Sequence, residues 1–202
     1  MVDTSRALGT VNGLASIGGC GGWYTDMPLV AQPDRIRLAM LGAVPGNGHP
    51  YSWSAIINGY SPQAMARCPY PVIPEYLGRQ PPDALGIPGA RVTQIWCDDP
   101  DEARRVADAA LIPDVVERAT DVLGRVDAVI IPTDVGREHV DRARPFFEAG
   151  LPVLIDKPLV DQEEDLRQFV RWHREGKAFL SASALRYARE YAACRERLAE
   201  VG

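Results

Sequence analysis

The 202 residues allow one domain, or one and part of a second, and 46% hydrophobic with 24% charged residues describes an ordinary globular chain with enough apolar material for a core. A net charge of −5, with acidic and basic residues interspersed, argues against nucleic acid or an anionic membrane surface as the main partner. No apolar run approaches the roughly 20 residues needed to span a bilayer. The four cysteines (Cys20, Cys68, Cys97, Cys194) show no CxxC pairing, so neither a zinc ribbon nor a disulfide framework is indicated and a reducing cytoplasm is the default.

Residues 1–33 are rich in Gly, Ser and Ala and include Gly18-Gly19-Cys20-Gly21-Gly22. They lack a basic start followed by a long apolar core, so they read as a flexible tail and not as a signal peptide. Ile36–Leu41 is a short apolar strand running into a glycine-rich turn, and a helix is expected over Ser52–Tyr60. Strand, turn and helix in this order present main-chain N–H groups and a helix N-terminus to a pyrophosphate, with Gly42, Ala43, Pro45, Gly46 and Asn47 as the candidates. The glycines are spaced G-x-x-x-G-x-G, and Val44 stands where a G-x-G-x-x-G fingerprint has its second glycine. A bare Gly-rich turn is therefore the rival reading.

Residues 61–90 hold seven prolines and cannot form one regular helix. An insertion of that length in such a unit is a functional or a packing loop. Tyr70 and Tyr76 would cover a substrate pocket, or the segment is a surface ornament. Arg91–Cys97 reads as the second strand. Asp98 at its end is placed to accept both ribose hydroxyls of an adenosine, which favours NAD over NADP. Asp99 or Asp101 is expected to cap the next helix, with Pro100 in its first turn. That helix runs from Pro100 to Ala110 with Ala103, Val106, Ala107 and Ala110 on one face, and a further turn falls near Thr120–Leu123.

Val126–Ile131 is a near-continuous apolar run, as in a parallel strand buried on both faces. Pro132-Thr133-Asp134 breaks it, a helix follows from Arg137 to Ala149, and Gly150 takes the C-terminal stop position. Val153–Ile155 is another strand, ending on Asp156-Lys157-Pro158, so Lys157 stands where open α/β sheets place their ligands. A helix over Asp161–Glu175 has Asp161 as N-cap and Glu164 three residues on, with Leu166, Phe169, Val170 and His173 facing inward. Phe179–Ser183 is the next strand. Residues 185–202 carry Tyr187, Tyr191, Cys194, Leu198 and Val201 in an amphipathic stripe that packs back on the core, meets another subunit, or begins a truncated second domain. The element order makes residues 34–184 an α/β, doubly wound parallel sheet of Rossmann-like type. Three histidines without shared spacing make a metal site improbable.

The ordered unit of Thr133, His139, Glu148-Ala149-Gly150 and Asp156-Lys157-Pro158 resembles the glucose–fructose oxidoreductase / inositol dehydrogenase (Gfo/Idh/MocA) family of NAD(P)-dependent oxidoreductases. The resemblance extends over roughly Arg35 to Tyr191. This chain departs from the family in having Asp156 where Glu is commoner, Asp134 where Pro is common, and one extra residue between Thr133 and His139. The resemblance implies that Lys157 lies between the nicotinamide and a substrate hydroxyl, donates a hydrogen bond to that oxygen and relays a proton. It implies a cis bond between Lys157 and Pro158, and an orienting role for Asp156. Thr133, Asp134 and His139 would lie beside the nicotinamide site, His139 being the second catalytic candidate after Lys157 or simply a polar cap of its helix, with Arg186 near cofactor and substrate. It implies NAD as cofactor, NADP being the alternative, and a sugar, cyclitol or related secondary alcohol as substrate. Relatives add a C-terminal antiparallel-sheet domain that is largely absent here, so the chain is expected to be a fragment. The competing expectation is a non-catalytic dinucleotide-binding module, or a subunit that docks a partner through the stripe carrying Tyr187, Tyr191 and Leu198.

Overall fold

The computed structural model describes residues 29–188 and Tyr191. The expectations for most of the N-terminal tail, and for Cys194, Leu198 and Val201, lie outside the described residues. Six strands form one parallel sheet: β1 (Ile36–Leu41), β2 (Ala90–Trp96), β3 (Asp114–Val115), β4 (Ala128–Ile131), β5 (Val153–Ile155) and β6 (Phe179–Leu180). Their spatial order is β3-β2-β1-β4-β5-β6. The sheet is thus doubly wound, and its strand order reverses between β1 and β4, where Leu38 pairs with Ala128 and Met40 with Ile130. Ligands of open α/β sheets bind beyond the carboxyl ends of the strands at such a reversal.

The helices are α1 (His49–Asn58), α2 (Pro62–Met65), α3 (Val72–Gly78), α4 (Pro100–Ala109), α5 (His139–Glu148) and α6 (Glu163–Arg174). Alternation along the strands divides the core in two. On one face Met40, Val92 and Ile95 pack under α1 and α4. On the other, Ala39, Leu41, Val129, Ile131, Val153 and Ile155 pack under α5 and α6. The two described cysteines, Cys68 and Cys97, are free and buried, and burial pushes the Cys97 thiol up to about 12. No helix among the described residues is long and apolar enough to cross a membrane.

Several elements differ from the sequence reading. The first helix begins at His49, three residues before Ser52, because Pro50 suits a helix's first turn. Strand β3 was not foreseen: two residues are too short to show a period. The Pro-rich segment is not an ornament. Its prolines cut it into short helices, and Met65, Cys68, Ile73 and Leu77 enter the core beside Tyr51 and Ala55. Tyr70 meets Tyr51 edge-on, whereas Tyr76 is exposed.

In α6 the inward face is Phe169 and Trp172, while Leu166, Val170 and His173 are exposed. Large rings decide that rotation, because Phe169 and Trp172 both cluster with Phe147 and burying an aromatic outweighs burying an aliphatic side chain. The N-cap of α6 is Gln162, with no side-chain bond, so Asp161 does not cap. The main chain of Val160 and Asp161 is instead pressed against Gly136, where a Cβ would come within 2.6 Å of the Asp161 nitrogen. Asp99 does cap α4, accepting from the Asp101 main-chain N–H at 2.9 Å.

Candidate functional site

The turn after β1 shows how the chain manages without a second glycine at position 44. Gly42 leaves the strand at φ +109°, and a Cβ there would meet the Thr133 methyl carbon at 2.8 Å. Asn47 N–H donates to the Val44 carbonyl at 3.1 Å, closing a turn with Pro45 and Gly46 at its corners. Gly46 at φ +88° after Pro45 is the sequence pattern of a type II turn. The turn delivers Asn47 to the interior. Its amide donates to the Pro132 carbonyl at 2.9 Å and to Asp156 Oδ2 at 3.3 Å, and its oxygen accepts the His49 main-chain N–H at 2.9 Å. One side chain thereby joins the loops that follow β1, β4 and β5.

Asp156 is the centre of this cluster. It is 1% exposed, its Oδ1 accepts the Lys157 main-chain N–H at 2.7 Å, and its Oδ2 is in close contact with Nδ1 of His49. Burial alone would raise its pKa, but the His49 ring, the Lys157 N–H and the Asn47 amide outweigh that and hold the carboxyl below its ordinary range. The His49 ring in turn stacks on Trp53, with centroids 4.5 Å apart and planes 12° apart. Lys157 follows on the exposed side, with its bond to Pro158 cis. Ser181 Oγ donates to the Asp156 carbonyl at 3.3 Å, tying the same loop to the segment after β6.

A second set of contacts fixes the loop between β4 and α5. His139 is fully buried, its Nε2 2.8 Å from the Thr133 carbonyl and its Nδ1 2.9 Å from the Leu159 carbonyl. Both ring nitrogens therefore face main chain, and the ring holds the Thr133 and Lys157 loops together. Thr133 is also fully buried, and its Oγ1 has no hydrogen-bond partner among the described residues. Asp134 and Arg186 are exposed. Asp98, at the end of β2, is half-exposed and accepts from Arg142 Nη2 at 2.9 Å.

The structure thus brings Asn47, Thr133, His139, Asp156 and Lys157 together at the strand-order reversal, while Asp98 stands at the end of β2. Two participants carried little signal in the sequence. His49, the partner of Asp156, sits just past the Gly-rich turn, and only the fold shows that this turn abuts the end of β5. Arg142 reads in sequence as an ordinary helix-surface charge. Among the described residues, no group of three or more His, Cys, Asp or Glu is arranged to hold a metal ion.

An all-parallel sheet of order β3-β2-β1-β4-β5-β6, with a glycine turn after β1 and an acid after β2, defines a dinucleotide-binding Rossmann domain. The family model described as an oxidoreductase family with an NAD-binding Rossmann fold matches residues 78–183, and the chain belongs to that Gfo/Idh/MocA family. The match begins inside the Pro-rich insertion and so covers the strands from β2 onward. No curated protein matches the chain by sequence.

Among solved structures, apo scyllo-inositol dehydrogenase from Lactobacillus casei superposes with a TM-score of 0.59 at 14% identity, over 84% of this chain and 43% of that one. The same enzyme with bound NAD(H) and scyllo-inositol gives 0.57 at 15%, over 82% and 41%. Myo-inositol 2-dehydrogenase from Lactobacillus plantarum gives 0.57 at 14%, also over 82% and 41%. These likenesses establish the fold, and the chain spans less than half the length of each of these structures. The residues present suit a dinucleotide: Gly42 makes the tight turn out of β1 at φ +109°, and the half-exposed Asp98 stands at the end of β2.

Proposed function

We propose that the chain forms the cofactor-binding part of an NAD-dependent oxidoreductase acting on a secondary alcohol of a cyclitol or sugar, with Lys157 handling the proton of the substrate oxygen. The observation that carries this reading is the contrast at the end of β5. Asp156 is buried and fully engaged, and it holds the main chain of an exposed lysine at the strand-order reversal. A module that only bound dinucleotide would have no need of a lysine at that position.

In this reading a bound nicotinamide supplies the hydride acceptor or donor. The main chain of Gly42, Ala43, Pro45 and Gly46 faces the pyrophosphate, and the Asp98 carboxylate accepts the ribose hydroxyls. Thr133, with its free buried hydroxyl, and Asp134 line the nicotinamide side, and Arg186 borders the substrate. Asn47 and His139 act through the main chain they hold. Lys157 donates to the alcohol or carbonyl oxygen and passes its proton outward, and Asp156 with His49 keeps the lysine's backbone in place. Further substrate contacts would come from outside the described residues, and a partner copy or subunit would dock on the stripe that includes the exposed Tyr187 and Tyr191. A reducing, cytoplasmic setting suits the buried free thiols Cys68 and Cys97.

Val44 in place of the second fingerprint glycine keeps a second reading in view: a dinucleotide-binding module without turnover. Lys157→Met separates the two. The chain alone is expected to bind dinucleotide and turn over nothing. In the assembled enzyme, with NAD and myo- or scyllo-inositol, the unaltered sequence is expected to produce NADH and the variant to lose about a hundredfold or more in rate, both binding NADH equally. Equal NADH binding with no turnover by the unaltered assembly would favour the module.

A further inference from the structure

Arg142 projects from α5 toward the end of β2, where it meets the acid assigned to the ribose. Its Nη2 donates to Asp98 Oδ2 at 2.9 Å, and its Nε donates to Glu138 Oε2 at 3.0 Å. The guanidinium carbon lies 5.8 Å from the centroid of Trp96, whose own Nε1 is anchored on the Glu117 carbonyl at 3.1 Å. Nη1 comes within 3.3 Å of the place a Cβ on Gly42 would occupy. One cation is thus fixed between the carboxylate after β2 and the first glycine of the turn. Its side chain is 19% exposed against 53% for Asp98. Beside it opens a cavity of about 130 Å³ between Leu41, Trp96, Ile131 and Phe146.

We propose that Arg142 is a specificity-determining residue for the dinucleotide, its charge divided between Asp98 and Glu138 so that the three groups decide between a ribose diol and a ribose 2′-phosphate. The proposal rests on the dinucleotide reading above. Two carboxylates (−2) and one guanidinium (+1) leave the trio at −1. A neutral diol accepts this balance, because the exposed Asp98 can turn an oxygen to the hydroxyls while Arg142 keeps Glu138. A phosphate monoester carries between about one and a half and two negative charges at neutral pH, and it meets that surplus of carboxylate directly. The planar fork of an arginine nonetheless matches phosphate geometry. The cation that NADP needs is already in place, with its donors committed to acids.

The test is titration of the purified chain with NADH and NADPH, and with ADP and 2′,5′-ADP to isolate the adenosine end. The unaltered chain is expected to prefer NADH and ADP. Asp98→Asn should weaken NADH and strengthen NADPH. Asp98→Asn with Glu138→Gln should tighten NADPH and 2′,5′-ADP about three- to tenfold, and adding Arg142→Met should abolish that gain. A double variant without tighter NADPH binding, or a gain that survives Arg142→Met, would overturn the proposal. Thermal melts confirm that the variants fold, and the half-exposed Asp98→Asn alone serves if Glu138→Gln loosens α5. Failure of the unaltered chain to bind either dinucleotide would refute the dinucleotide reading itself, and this inference with it.

Discussion

The two faces of the sheet are filled with different materials. Under α5 and α6, the rings of Phe147, Phe169, Trp172 and Phe179 interlock, with Phe147 and Trp172 only 4.7 Å apart between centroids. Under α1 and α4, the core of described residues contains one buried ring, Tyr51, and a run of alanines, Ala55, Ala103, Ala107, Ala109 and Ala110, beside aliphatic side chains. The alanines carry little apolar surface to cover the outer flank of these helices. The Pro-rich segment closes that flank with Met65, Ile73 and Leu77. One face is therefore stabilised by neighbours close in sequence order, and the other borrows a plug from an insertion. The aromatic face carries the loops of His139 and Lys157, while the plugged face carries the glycine turn.

The largest expected effect breaks the aromatic face. Phe147→Ala, fully buried at the centre of the ring cluster, should lose about 3–5 kcal/mol in a urea denaturation. Leu77→Ala sharpens the comparison on the other side. As part of a plug it should cost about 2–4 kcal/mol, whereas a change on a surface ornament would stay within about 0.5 kcal/mol.

Gly136→Ala attacks the joint between the two site loops, because a Cβ would stand 2.6 Å from the Asp161 nitrogen and 2.7 Å from the Val160 carbonyl carbon. Main chain cannot step aside as a flexible side chain does, so about 1–3 kcal/mol is expected, again read by denaturation. The smallest effect concerns charge. Asp156 titrates below its ordinary 3.8 when folded, so its contribution to stability is present above that value and is lost as pH falls through the lower folded pKa. Thermal melts should therefore show Asp156→Asn less stable than the unaltered chain at neutral pH, the gap narrowing only below about pH 4. A gap independent of pH would assign the loss to packing.

The unit from β4 to β5 was legible in the sequence because its signals are local. The apolar run ending at Ile131, Gly150 just past α5 and now seen at φ +77°, and the strand ending on Asp156-Lys157-Pro158 all stand within one continuous stretch. The first half was harder to read. Its glycine spacing departs from the usual fingerprint, and the type II turn that replaces it depends on Pro45 and Gly46 acting together. The insertion showed its prolines but not its burial, since four inward residues spread over Met65 to Leu77 form no period. The rotation of α6 was misread for a related reason: Leu166 and Val170 complete a plausible stripe, and only the positions of Phe147 and Phe179 show that Phe169 and Trp172 fill it.

Sequence alone determined the α/β class, the chain order of the long elements, the family, and the placing of Lys157 and Asp98 at strand ends. Each depends on hydrophobic period, turn chemistry and short motifs, all of which act between near neighbours. Tertiary structure decided which side chains meet beyond those ends. Asn47 spanning three loops, His49 against Asp156, His139 between two carbonyls and Arg142 beside Asp98 are contacts between residues 6 to 109 positions apart. Contacts of that kind exist only once the reversal of strand order between β1 and β4 has brought their loops together.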